Sequence, residues 1–173
     1  MNKQYSADKI LANGRIYWPD ANHTIECLAI YLHRSAQLLL KHATQSIQQH
    51  RINTSEFDVL AALRNSPPPH VSTPTELQRS MLITSGGLTK LLYQLEAGGL
   101  ISRSVQERDK RSKLVHLTNA GKDLVEKSMG ELHETDSEML DAALSKKELN
   151  QLVALLGKVT RTLEHRDGQF TDE

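Results

Sequence analysis

At Gly98-Gly99 the hydrophobic period of the chain switches from about 3.6 residues to about 2, the change from helix to strand. Upstream, Leu88, Leu91, Leu92 and Leu95 form one apolar stripe, and the two glycines end that helix. Downstream, Ile101, Arg103 and Val105 belong to the alternating run ISRSV, and SKLVHLT reads as a returning strand. Before the stripe stands Thr73-Pro74-Thr75-Glu76, an N-cap with proline at the first helical position and glutamate three residues after the cap. That is a capping box with its preferred proline. It predicts a short helix from about Pro74 to Met81, and Thr84-Ser85 signals a second start. Two helices so closely joined have the spacing of a helix-turn-helix, and the hairpin after them adds a wing.

The flanks are helical. From Ile25 the apolar positions Ile25, Leu28, Ala29, Leu32, Ala36, Leu39, Ala43 and Ile47 keep a three-four spacing. Asn53 or Thr54 caps a second helix carrying Phe57, Leu60, Ala61 and Leu63, which the prolines of NSPPPHVS stop. Thr118 caps a helix with Leu124, Met129, Leu132 and Met139; Ser145 and Glu148 box the last one, with Leu149, Leu152, Val153, Leu156, Thr160 and Leu163 on one face. The predicted class is mainly α with a small β-hairpin wing, a winged helix-turn-helix with N- and C-terminal dimerisation helices. The predicted organisation is an N-terminal arm at 1–20, a helical dimerisation region at 21–52 and 119–165, the winged module at 53–118, and a frayed end at 166–173. Dimerisation is expected because the outer helices carry more apolar surface than one small winged module covers.

Net charge is zero but unevenly spread: residues 76–113 carry seven basic and four acidic groups, residues 118–173 seven and twelve. A basic centre beside an acidic tail suits a polyanion partner in the middle. One cysteine allows no intrachain disulfide and no four-cysteine zinc site, and the scattered histidines form no HExxH. No Ser-His-Asp order or glycine-rich phosphate loop is visible, so the chain is read as no enzyme and as needing no cofactor. No apolar run approaches the ~20 residues of a membrane span, and MNKQYSADKI lacks a signal core, so a cytoplasmic protein is expected.

Double-stranded DNA is the partner these features favour. In TSGGLTKLLYQLE the leucines take the buried side. Ser85, Thr89, Lys90, Tyr93 and Gln94 lie on other faces, and Thr84, Ser85, Gly86 and Gly87 form a small-residue first turn. Small residues let a helix end approach a groove floor, and its free N–H groups suit phosphate. Thr84, Ser85, Gly86, Thr89, Lys90 and Gln94 are therefore candidate contacts, with Thr73, Thr75 and Arg79 of the preceding helix. Residues 103–113 hold five basic groups (Arg103, Arg108, Lys110, Arg111, Lys113) against Glu107 and Asp109. Arg108, Lys110 and Arg111 are candidates for a minor groove, and Asp109 for holding the tip's shape by pairing with an arginine. The plainer readings are a solvated helix face and an edge hairpin kept soluble by charge; the two features together favour DNA.

DKRSKLVHLTNAGK resembles the D-x-R…V-x-L-T-x-x-G signature of the MarR family of bacterial transcription regulators, and LTKLLYQLEAGGLISR is similar to that family's recognition helix and wing start. The resemblance spans about residues 25–165. It implies a homodimeric repressor on a palindromic operator, with residues 84–94 as the recognition helix and Asp109 and Arg111 at the motif's charged positions. It also implies release by a small aromatic or phenolic effector, for which Trp18, Tyr31 and Arg34 are candidates, with Arg15 and Tyr17 nearby. The favoured reading of Trp18 is a staple packing the arm onto the core. Members with a urate-type pocket have more residues between an N-terminal tryptophan and their Pro-Asp pair; Trp18 adjoins Pro19, so that pocket is not carried over. Cys27, with Tyr31 one turn on, resembles the sensing segment of the organic-hydroperoxide branch, but the nearby segment reads NTSEF with Phe57 in place of that branch's tyrosines. The alternatives are a thiol-based sensor using Cys27 and a non-specific architectural DNA binder, which steep salt dependence without sequence preference would mark.

Overall fold

The computed structural model describes residues 4–81, 87–105, 113–168 and 170. Two compact units divide at Met129. The first is built around α3 (Thr54–Asn65), whose Phe57, Val59, Leu60 and Leu63 are buried. Asn53 caps this helix: its side chain accepts from the Glu56 N–H at 2.9 Å, and the Glu56 carboxylate accepts from the Asn53 N–H at 2.9 Å. Against it pack Leu77 of α4 (Pro74–Ser80), Leu88, Leu92 and Leu95 of α5 (Leu88–Ala97), Ile101 of β2 (Ile101–Val105) and Val115 of β3 (Lys113–Leu117). Val125 of α6 (Asn119–Asp141) joins the same core.

The predicted hairpin is present, with Ile101 opposite Leu117 and Val105 opposite Lys113. The sheet has a third strand, β1 (Val71–Ser72), which pairs antiparallel to β3 and gives the order β1-β3-β2. Two residues after a proline run present no readable period, which is why β1 escapes a sequence argument.

The joint between wing and α6 explains the L-T-x-x-G part of the signature. The α5 helix ends in a Schellman arrangement: Gly99, at φ 71°, donates to the Glu96 carbonyl at 2.9 Å, and Leu100 to that of Leu95 at 2.9 Å. The Thr118 hydroxyl is shared between the Gly99 and Leu100 carbonyls at 2.8 and 2.9 Å and accepts from the Gly121 N–H at 3.1 Å. A Cβ on Gly121 would lie 2.1 Å from the Leu100 carbonyl oxygen, so only glycine permits this approach.

Residues 1–20, expected to be an arm, contain a helix, α1 (Ala7–Tyr17), capped by Ser6. Its partner is α2 (His23–Gln48), where the Tyr31 hydroxyl donates to Asp8 at 2.8 Å and Arg34 donates to the Tyr5 carbonyl at 3.4 Å. Leu11 is the buried residue of α1, so a helix anchored by one apolar side chain and these polar ties shows little period in sequence. On α2, Ile47 is buried, while Ile25, Leu28, Leu32 and Leu39 are exposed, Ile25 to 58%.

The second unit holds the end of α6 and α7 (Lys146–Asp167). Ser145 and Glu148 form the predicted capping box, and Gly168 at φ 69° ends the helix. None of the α7 residues is buried; Leu152, Val153, Leu155, Val159 and Leu163 are exposed. The predicted boundary for fraying, residue 166, falls two residues before the Gly168 cap.

Candidate nucleic-acid interface

The short helix α4 is set by its first residue. Thr73 accepts from the Glu76 N–H at 3.2 Å, while the Glu76 carboxylate accepts from the Thr73 N–H at 2.7 Å and hydroxyl at 2.9 Å. These bonds, the backbone one foremost, hold the Glu76 carboxyl below its usual range. The Thr73 hydroxyl is thus occupied within the cap. Leu77 is buried, which turns Thr75, Gln78 and Arg79 outward.

The recognition helix starts later than the sequence suggests. Thr84 to Gly87 are expected to form its first turn; α5 begins at Leu88, and Gly87 is its N-cap, at φ 111° and without a side-chain cap. The left-handed backbone is open to glycine and costly for other residues, so Gly87 serves the entry to the helix. Thr84, Ser85 and Gly86 lie outside the described residues. Burial of Leu88, Leu92 and Leu95 leaves Thr89, Lys90, Tyr93 and Gln94 exposed, as the stripe predicts.

A concavity of about 310 Å³ gathers Thr75 and Gln78 of α4, Thr89 and Tyr93 of α5, Arg103 of β2 and Lys113 of β3. A second, of about 400 Å³, places Lys90 and Gln94 beside Asn53, Thr54 and Ser55 at the start of α3. Thr75 and Thr89 therefore share one recess, and Lys90 and Gln94 another. The tip residues Arg108, Asp109, Lys110 and Arg111 lie outside the described residues.

Arg103, counted above with the wing's basic groups, is engaged inside the protein. Its Nε donates to Glu96 at 2.8 Å, its Nη2 bonds the same carboxylate oxygen, and its guanidinium carbon lies 4.1 Å from the centre of the Tyr93 ring. The Arg103 bond holds the Glu96 carboxyl below its usual range, and Glu96 in turn raises the arginine. The pair bridges α5 and β2 across Gly98-Gly99. The acidic residue before the glycines and the basic one in the alternating strand were the available signal.

This arrangement has known counterparts. A MarR family model matches residues 52–112. The HTH-type transcriptional regulator PecS of Dickeya dadantii is 32% identical over 127 residues, which cover 73% of this chain and 76% of PecS. The chain belongs to the MarR family. The MarR-family fold is seen again in solved structures: Bordetella bronchiseptica BpsR, whose DNA binding is regulated by 6-hydroxynicotinic acid, matches at a TM-score of 0.62 and 26% identity over 75% of this chain and 90% of BpsR. The S. aureus MepR–DNA complex matches at 0.64 and 28% over 76% of this chain and 96% of that one. Membership makes the chain a winged helix-turn-helix transcriptional regulator, in line with the resemblance read from the wing motif.

The effector candidates of this MarR-family chain are placed apart from the recess under α4 and α5. Tyr31 ties α1 to α2 through Asp8, and Arg34 ties α2 to Tyr5, just before α1. Bonding to Asp8 raises the Tyr31 phenol. Trp18, just beyond α1, is 68% exposed, so it does not staple the N-terminal segment to the core. Cys27 is a free, partly buried thiol on α2. Among the described residues no group of His, Cys, Asp and Glu has the arrangement of a metal site, and no helix is long and apolar enough to cross a membrane.

Proposed function

We propose that the chain is a homodimeric, sequence-specific DNA-binding repressor that occupies a palindromic operator and is released by a small aromatic or phenolic effector. The observation that carries this is the outward row Thr89, Lys90, Tyr93 and Gln94 on a helix whose opposite side is locked into the core, flanked by Thr75 and Lys113. Polar side chains in fixed register on a rigid helix suit base edges and phosphates of a major groove. Thr84, Ser85, Gly86 and Arg79 extend that contact, and Arg108, Lys110 and Arg111, with Asp109 shaping the tip, enter the neighbouring groove. Residues 53–118 form the reading module, and the helices of 21–52 and 119–165 join two copies. The exposed apolar faces of α2 and α7 support that assignment. Regulation of BpsR by a hydroxylated aromatic acid supports the effector class; Trp18, Tyr31 and Arg34 are its proposed contacts.

The test is selection of bound fragments from genomic DNA by the purified chain, followed by footprinting. The expected result is protection of an inverted repeat whose half-sites lie about 10–10.5 base pairs apart, centre to centre. Retention of no duplex at low ionic strength overturns the proposal. Retention without sequence preference supports the architectural alternative.

A further inference from the structure

We infer that Tyr93 is a duplex-contacting side chain of the recognition helix and that Arg103, braced by Glu96, positions it without touching phosphate itself. The inference rests on the DNA-binding reading above and assigns two roles within it.

Tyr93 is 57% exposed on the outward face of α5 and lines one recess with Thr89 and the wing residue Lys113. A large ring left in solvent adds nothing to the core, yet it is held in place. One face lies against the Arg103 guanidinium at 4.1 Å, and Arg103 is fixed from the side by two bonds to Glu96. Tyr93 and Glu96 are three residues apart on one helix, so a planar guanidinium spans both from the neighbouring strand. The side chain of Arg103 is only 17% exposed, too covered to serve as a mobile phosphate contact. A ring immobilised before binding loses little rotamer freedom on contact, and its edge suits a thymine methyl or a deoxyribose. The same brace joins the recognition helix to the wing, so it also sets the angle at which the two meet the duplex.

Charge and position predict opposite outcomes. If Arg103 and Glu96 acted only through charge, Glu96→Gln would remove a carboxylate that repels DNA and tighten binding. As a brace component, Glu96→Gln weakens it. Lysine would replace a phosphate-binding arginine with little loss, but it lacks the flat surface and the two-point geometry.

The experiment measures affinity and its salt dependence on the duplex footprinted with the wild-type chain, for Glu96→Gln, Arg103→Lys, Arg103→Ala, Tyr93→Phe, Tyr93→Ala and the Arg103→Ala/Tyr93→Ala double variant. Thermal melts accompany each. Glu96→Gln and Arg103→Lys are expected to weaken binding about three- to tenfold, the scale of one ordinary hydrogen bond. Tyr93→Phe, which keeps the ring, is expected within about twofold of wild type. Tyr93→Ala and Arg103→Ala weaken binding with an unchanged salt slope, and the double variant loses less than the two singles combined. Tighter binding by Glu96→Gln, wild-type binding by Arg103→Lys, or a salt slope reduced by about 0.9 in Arg103→Ala overturns the inference. If an Arg103 variant fails to fold, Glu96→Gln, isosteric at a partly exposed position, decides alone. Absence of binding by the wild-type chain removes the DNA-binding reading and this inference with it.

Discussion

Gly121 shows how much one missing methyl carries. The Leu100 carbonyl oxygen lies 2.1 Å from where its Cβ would be, and the Thr118 hydroxyl bonds that carbonyl, the Gly99 carbonyl and the Gly121 N–H. Neither the carbonyl nor the helix start moves freely, since Val125 anchors α6 in the core one turn on. Gly121→Ala is expected to destabilise the first unit by about 2–3 kcal/mol, the scale of overpacking against a rigid neighbour, read as a lowered denaturant midpoint at unchanged slope. A wild-type midpoint would show that the joint yields. At the same scale, the contacts proposed for Lys90 and Gln94 differ in kind and can be told apart. Lys90→Ala is expected to weaken binding to all duplexes and to lower the salt slope by about 0.9. Gln94→Ala is expected to relax preference at one base pair, by about 1–3 kcal/mol of discrimination, with the slope unchanged. A Lys90→Ala slope equal to wild type would place that ammonium away from phosphate.

Helix ends dominate at the scale of elements. Asn53, Thr73 and Ser145 each begin a helix with a reciprocal box, and the box is local enough to read directly from sequence. That is why α4 and α7 are legible; α3 reads from its apolar positions, with its cap left open between Asn53 and Thr54, α5 from its stripe and β2 from its alternation. What fails to read has equally local causes. The α1 helix rests on one buried leucine and on ties to α2 that no periodicity reveals; β1 has only two residues, and its order comes from pairing with β3. The start of α5 is misplaced because Thr84-Ser85 looks like a cap, whereas the observed cap is a backbone conformation at Gly87. The Arg103–Glu96 tie is hidden because charge counting treats every arginine near a tip as free. The boxes also carry a pH dependence. Thr73 holds the Glu76 carboxyl low, and Ser145 does the same for Glu148, there through its side chain foremost. A carboxyl depressed in the folded state stabilises the fold at pH above its unfolded value of about 4.3, and that contribution disappears as pH falls through the folded value. Thr73→Ala is expected to cost about 1 kcal/mol at pH 7. The difference from wild type is expected to shrink between about pH 5 and pH 3, in melts taken across that range. A difference that stays constant into acid would mean the carboxylate takes no part in the cap.

At the scale of the whole molecule, the apolar faces of α2 and α7 require an explanation that neither unit contains. Leu152 and Leu163 lie eleven residues apart, three turns of one helix face, and Leu163 is 59% exposed. A second copy related by a two-fold axis would cover such faces symmetrically, so each side-chain change enters the interface twice. Burying one leucine contributes about 1.5–3 kcal/mol, so Leu163→Glu removes about 3–6 kcal/mol from the dimer before any charge repulsion, or two to four powers of ten in its dissociation constant. Sedimentation equilibrium is expected to give twice the chain's mass for wild type at micromolar concentration and the single mass for Leu152→Glu/Leu163→Glu, with helix content by circular dichroism retained. If two reading helices of such a dimer reach half-sites about 34–36 Å apart, as proposed, the monomeric variant is expected to bind a half-site duplex as wild type does and to lose its advantage on the full inverted repeat. A wild-type chain that sediments as a monomer while still protecting an inverted repeat would break the link between these faces and operator symmetry. A variant that remains dimeric would move the interface to the exposed leucines of α2, where Leu32→Glu is the corresponding probe.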